Sequence, residues 1–238
     1  MFEKERDYPT AFIRNFAPDA HAVAVRWVVN QAKVVGGMPL LYAPGRRNIE
    51  DNPLLSAFAK RYASRTWKSG WDAKWSSGPV LAAWPDQKHL GEIADSGGVR
   101  ALCVLAWNDS DVAPWVTASG AFNLEPSTEV LTVRELDPVV KCALEDLGHR
   151  VNHANNLAGA LDQADAKTWF RVLKKAGLPI DPDALYAQAL ADGWPSRGAE
   201  RLREMATKVA AGRSLRGWND QRWANDVVAR WRAESQGR

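Results

Sequence analysis

Met38-Pro39-Leu40-Leu41-Tyr42-Ala43, Pro79-Val80-Leu81-Ala82-Ala83-Trp84 and Val99-Arg100-Ala101-Leu102-Cys103-Val104-Leu105-Ala106-Trp107 are three short apolar runs. Each ends in polar or turn-forming residues and is followed by an amphipathic helical pattern. A run that is apolar on nearly every side suits a parallel strand covered on both faces by helices. The repeat therefore predicts an α/β fold with a small, mainly parallel sheet of three to four strands and covering helices. Ligands of such sheets bind outside the carboxyl ends of the strands. The residues that follow each run are thus where chemistry is expected.

Outward from these runs the punctuation is regular. Pro18 and Asp19 open a helical pattern carrying Val23, Trp27, Val28 and Val34, and Gly36 and Gly37 stop it. A helix is expected from Asn52 or Pro53, with Leu54, Leu55, Phe58 and Tyr62 on its apolar side and Lys60, Arg61 and Arg65 at its far end. Another opens at Pro85-Asp86, and a short one follows Asn108 to carry Val112, Trp115 and Val116. Residues 122–136 lose helical period. Residues 126–136 read as a linker, or as an edge strand built on Val130, Leu131 and Val133.

Beyond it every recognisable element is helical: 137–158, 163–176, 182–192, 197–211 and 219–233. Asp181-Pro182 supplies a cap and a first-turn proline, and Gly177, Gly193 and Gly212 stand where C-terminal caps belong. The expected organisation is an α/β domain over 1–125 and an all-α domain over 137–238.

Composition bounds the function less tightly. Its 238 residues, 46% hydrophobic and 25% charged, describe an ordinary globular chain with enough apolar material for a core in each half. Two cysteines are too few for a disulfide scaffold, and Cys103 lies in the most apolar run, which favours a buried thiol in a reducing compartment. The charged, mixed start lacks a signal-peptide core, and no run nears the roughly eighteen apolar residues of a membrane span. These features predict a cytoplasmic protein with no membrane partner. The net charge is +3. Residues 197–238 hold ten Lys or Arg against five Asp or Glu, so the basic excess belongs to the C-terminal end and suggests an anionic partner.

Five constellations could carry chemistry. At the strand ends stand Arg46, Arg47 and Asn48, then Asp86, Lys88 and His89, then Asn108, Asp109 and Asp111. The cations and loop N–H groups could bind phosphate. Asp86, His89, Asp109 and Asp111 could hold a divalent cation or move a proton, or the acidic and amide groups could simply cap helices. Signatures of P-loop ATPases, dinucleotide oxidoreductases and α/β-hydrolases are absent. Trp67, Trp71 and Trp75, interleaved with Lys68 and Lys74, could form a stacking platform for bases, or packing for a chain with twelve tryptophans.

Glu145, His149 and His153 recur at spacing four, which on one helix would project all three from a single side. They could then ligate a metal, or remain solvated histidines. Ala189, Gly193, Ala199 and Leu202 have helix-turn-helix-like spacing, which would place Arg197, Arg201, Arg203 and Lys208 on an exposed second helix, with Glu200 and Glu204 interrupting the basic face. Finally, Trp223, Val227 and Trp231 form a stripe that could dock on the parent domain or, if exposed, on a protein partner. Three functions remain open: a nucleic-acid-associated binding protein using the basic helical end, an enzyme acting on a phosphate or nucleotide substrate at the strand ends, and a non-catalytic accessory or assembly protein.

Overall fold

The computed structural model describes residues 8–69, 75–126, 131–217, 223–224 and 226–237. The chain forms two compact units, Glu5–Thr132 and Val133–Arg238.

The first unit is an α/β fold. Its strands are β1 (Thr10–Arg14), β2 (Leu40–Ala43), β3 (Ala63–Thr66), β4 (Gly78–Ala83), β5 (Val99–Ala106) and β6 (Phe122–Asn123). They lie side by side in the order β3-β2-β4-β5-β1-β6, and each pairing is parallel. The three expected strands are β2, β4 and β5. The sheet has six because β1, β3 and β6 are too short or too polar to stand out: β3 reads Ala-Ser-Arg-Thr, and β6 has two residues. Arg65 belongs to β3 and is buried, rather than to the end of the preceding helix. An edge strand lies at β6, upstream of the 126–136 segment, of which residues 131–136 form no regular element and Val130 lies outside the described residues.

Helix α1 (Ala20–Val35) packs on β4 and β5. The short helix α2 (Arg46–Glu50) and α3 (Pro53–Arg61) follow β2. Side chains alternate across a strand. Ala11, Ile13, Leu41, Ala43, Leu81, Ala83, Cys103 and Leu105 accordingly share one core with Ala24, Val28, Ile49, Leu55 and Phe58 of these helices. The opposite parity, with Phe12, Leu40, Val80, Leu102 and Val104, is equally buried. On that side lie α4 (Gln87–Ala94) and α5 (Asp109–Ser119), with Leu90, Ile93, Val112 and Trp115 inward. Each such large side chain contributes about 1.5–3 kcal/mol on burial. Burial also pushes the Cys103 thiol up, keeping it protonated and inert.

Caps set the helix starts. Asn52 accepts N–H bonds from Leu54 and Leu55 ahead of α3, with Pro53 in its first turn, and Asp86 accepts from His89 N ahead of α4. At the amino edge Gly37 and Gly78, both at positive φ, let β2 and β4 meet backbone to backbone.

The second unit is helical throughout its described residues: α6 (Pro138–Arg150), a 3-10 turn at His153–Asn155, α7 (Ala160–Lys175), α8 (Pro182–Ala191), α9 (Ser196–Ala210) and α10 (Val227–Gln236). Asp137 and Asp181 cap α6 and α8, each with a following proline. The helix expected over 137–158 stops at Arg150, because Val151 turns extended. Trp169, Phe170, Leu144, Leu147, Tyr186 and Leu202 fill the core. No helix among the described residues is long and apolar enough to cross a membrane.

Candidate active site

Because all six strands point the same way, their carboxyl ends form one edge. The order β2-β4-β5 places the three expected loops next to one another along it. Chain direction then opens two crevices. The chain leaves β2 for α2 and α3 on one face and leaves β4 for α4 on the other, so the loops after these neighbours part. It also leaves β5 for α5 and β1 for α1, again on opposite faces. Points of reversal such as these hold ligands in open α/β sheets.

At the β2/β4 crevice stand Asp86 and His89. Asp86 Oδ1 accepts the backbone N–H of His89 at 2.8 Å, and the same oxygen lies 2.6 Å from His89 Nδ1, whose N–H donates to it. Asp86 is thus a helix cap and also the group that fixes the histidine tautomer. Trp67, in the loop after β3, stacks on the imidazole with centroids 3.9 Å apart and planes at 13°. The Trp67 backbone N–H donates to Ala43 O, which fixes the indole beside the end of β2. Held by its own carboxylate and an aromatic plane, His89 has Nδ1 committed to Asp86, which leaves Nε2 as the ring nitrogen that could meet a ligand.

The β3 side of this edge is cationic. A cleft of about 550 Å³ is lined by Arg46, Ser56, Lys60, Arg65, Thr66 and Ser69. Arg46 also pairs with Glu50 at 3.5 Å, but both side chains are largely in water, so the pair is weak. Arg47, Asn48 and Lys88 are exposed. Burial, with Glu92 and Asp86 nearby, raises Tyr42 to about 12, so its phenol stays protonated.

At the β5/β1 crevice the arrangement differs from the expected one. Asp109 is not a cap; it faces Arg14 of β1, whose Nε donates to both its oxygens at 3.0 and 3.1 Å. Glu125 accepts from Arg14 Nη1 at 3.2 Å and from Arg14 N at 2.9 Å. The hydrogen bond to Asp109, followed by the charges of Asp109 and Glu125, raises the Arg14 pKa despite some burial. Asn108 donates to Asp111 instead of capping α5. Neither Arg46 nor Arg47 is the partner of these carboxylates.

Trp84 links the two crevices. It sits at φ 55°, a conformation that costs a bulky residue about 1–2 kcal/mol. Two hydrogen bonds hold it there, from its N to Leu105 O at 2.8 Å and from Nε1 to Asn15 Oδ1 at 2.7 Å. Trp107 meets Trp84 edge-on at 6.5 Å and Phe16 at 5.1 Å, and His21 meets Trp84 at 6.0 Å. Arg14, Phe16 and Glu125 escaped the sequence reading because β1 did. The five residues Thr10–Arg14 do hold a compact Ala-Phe-Ile core, which was the available signal.

The other candidates are placed as follows. Trp75 is buried, with its indole N–H on Met38 O at 2.7 Å, so it cannot serve as an exposed stacking face. Trp71 and Lys74 lie outside the described residues. Glu145 and His149 are on α6, but His153 lies beyond its end, against Gly148 O and the Trp194 ring, so the three do not share a helix side. Among the described residues no three His, Cys, Asp or Glu gather to hold a metal ion.

Helices α8 and α9 pack as a hairpin with Gly193 at positive φ in the turn. Arg203 bonds Asp183 of α8 at 2.7 Å and so braces the hairpin, Arg201 ties α9 to Asn156 O after the 3-10 turn at 2.5 Å, and Arg197 and Lys208 are exposed. Trp223 and Trp231 are buried: their indoles donate to Asp165 O and Asp146, and Arg150 lies over the Trp223 ring. The stripe is buried within its own unit.

No curated protein matches the chain. A crystal structure of a protein from Salmonella typhimurium is similar at 20% identity, covering 42% of this chain and 99% of that one, with a TM-score of 0.36. Residues 136–232 match a family described as a domain of unknown function, DUF1889.

Proposed function

We propose that the α/β unit is an enzyme acting on a small phosphate-bearing or nucleotide substrate at the carboxyl edge of the sheet, with His89 as its acid–base group. One observation carries this reading: the Asp86–His89 pair at 2.6 Å, clamped by the Trp67 plane, beside a reversal point of the sheet. In this role Nε2 takes a proton from a substrate hydroxyl or a water, and the Asp86 carboxylate stabilises the resulting imidazolium. The cationic cleft with Arg46, Lys60 and Arg65 lies along the same edge, where a phosphate is attracted. The nucleic-acid reading draws less support, since Arg201 and Arg203 are engaged in bracing helices.

The test is a panel of phosphate monoesters and nucleotides incubated with the intact protein and followed by ³¹P NMR. Turnover of a panel member is expected, with His89→Gln lowering it by roughly 10²–10⁴-fold, the usual contribution of a positioned acid–base group. Asp86→Asn should lower it less and shift its pH profile. No turnover by the wild-type protein, or turnover that His89→Gln leaves intact, overturns the reading.

A further inference from the structure

The β5/β1 crevice has a chemistry opposite to that of the cationic cleft. It encloses about 620 Å³, within the size range of small-molecule sites. Its lining includes Arg14, Phe16, Trp107, Asn108, Asp109 and Glu125, with two carboxylates against one guanidinium. A phosphate gains nothing from such a balance. Hydroxyl donors do, because a carboxylate oxygen accepts from more than one side. Arg14 Nε already occupies one side of Asp109, donating to both oxygens, yet the Asp109 side chain is 50% exposed and lines the cleft, and each carboxylate oxygen can accept a second hydrogen bond. That leaves two adjacent acceptors, the geometry that a pair of neighbouring hydroxyls fits.

The aromatic walls complete the description. Trp107 is 53% exposed and Phe16 is 74% exposed, with ring planes at 61°. Two large apolar rings in water beside charged groups form an unfilled corner, and a ring with an apolar face covers it. The corner also adjoins a strained residue, since Trp84 at φ 55° is pinned to Asn15 after β1 and meets Trp107 edge-on. Strain of this kind persists where surrounding contacts hold it, and it collects at ligand sites.

We infer that the β5/β1 crevice is a subsite for a ring bearing a vicinal diol, with Asp109 accepting the two hydroxyls and Trp107 and Phe16 covering the ring. The ribose of a nucleoside and a free hexose share this chemistry. The inference deepens the proposed function and rests on it in one respect: both place a ligand at the carboxyl edge of the same sheet.

The test is calorimetric titration of the intact protein with adenosine, glucose and 2′,3′-dideoxyadenosine as probes. Adenosine or glucose is expected to bind, and whichever binds identifies the source of the diol. Trp107→Ala and Asp109→Asn should each weaken that binding at least roughly tenfold, equivalent to about 1.4 kcal/mol. Ser110→Trp, an exposed position on the cleft lining, should block it without touching the Arg14 pairs. His89→Gln should leave probe binding unchanged, so loss of activity in that variant and loss of the subsite are read separately. Absence of binding by both diols, equal binding of the dideoxy compound, or indifference to Ser110→Trp overturns the subsite assignment.

Discussion

Replacing Gly78 by alanine puts a methyl group into the neighbouring strand. The added Cβ would meet Met38 O at 2.3 Å and Met38 N at 2.7 Å, both backbone atoms, and Gly78 sits at φ +150°. Neither neighbour can rotate away, because Met38 N bonds Ser77 O and Gly78 N bonds Gly98 O. Positive φ costs an L-residue about 1–2 kcal/mol, and forcing extra volume into a packed interior costs about 1–3 kcal/mol. The expected loss is therefore about 3 kcal/mol. For a unit of this size, 1 kcal/mol corresponds to about 4 °C, so Tm should fall by about 12 °C in a tryptophan-fluorescence melt. Gly97→Ala is the control, since its Cβ would meet nothing within 4 Å. A fall of under about 2 °C for Gly78→Ala would refute the claim that β2 and β4 are held by this backbone contact, together with the magnitudes behind it.

Other expectations follow from particular contacts. Trp231 is fully buried and its indole bonds Asp146, so Trp231→Ala should cost about 3–5 kcal/mol, read by chemical denaturation; a loss under about 1 kcal/mol would contradict the docking of α10. Burial lowers the His21 pKa below its ordinary 6.5, so the unfolded chain binds that proton more readily than the fold does. The stability from neutral His21 is whole above 6.5 and declines as pH falls through that value toward the lowered one, and His21→Gln should flatten the Tm difference between pH 7 and pH 5. An unchanged difference would remove His21 as the cause. Arg203→Ala should lower stability by under about 1 kcal/mol, its partner Asp183 being half-exposed, without altering fluorescence anisotropy of labelled duplex DNA at two salt concentrations. A large loss of DNA affinity would instead restore the nucleic-acid reading.

How much was legible in the sequence depended on signal length. Strands β2, β4 and β5 announce themselves as apolar runs buried on both sides, and Asp181-Pro182 announces a helix start, because these are local patterns. The strand order was not legible. It is set by α1 carrying the chain from β1 across β5 and β4 to β2, a long-range choice made by packing. For that reason the sequence offered Arg46 and Arg47 as the strand-end arginines and missed Arg14, which the insertion of β1 between β5 and β6 brings to Asp109. Asp86 was legible as a cap, which the structure bears out, and as a catalytic candidate, which the proposed function retains. His153 was misread because helical spacing was extended past Arg150, where the backbone leaves the helix.

The most direct measurement is a titration of the histidine C2–H resonances with adenosine monophosphate. The chain has four histidines, so single substitutions assign every line. The account predicts a saturable shift of the His89 line, with those of His149 and His153 unmoved. A titration that leaves His89 still, or that moves the histidines of the helical unit instead, would contradict a ligand site at the carboxyl edge of the sheet.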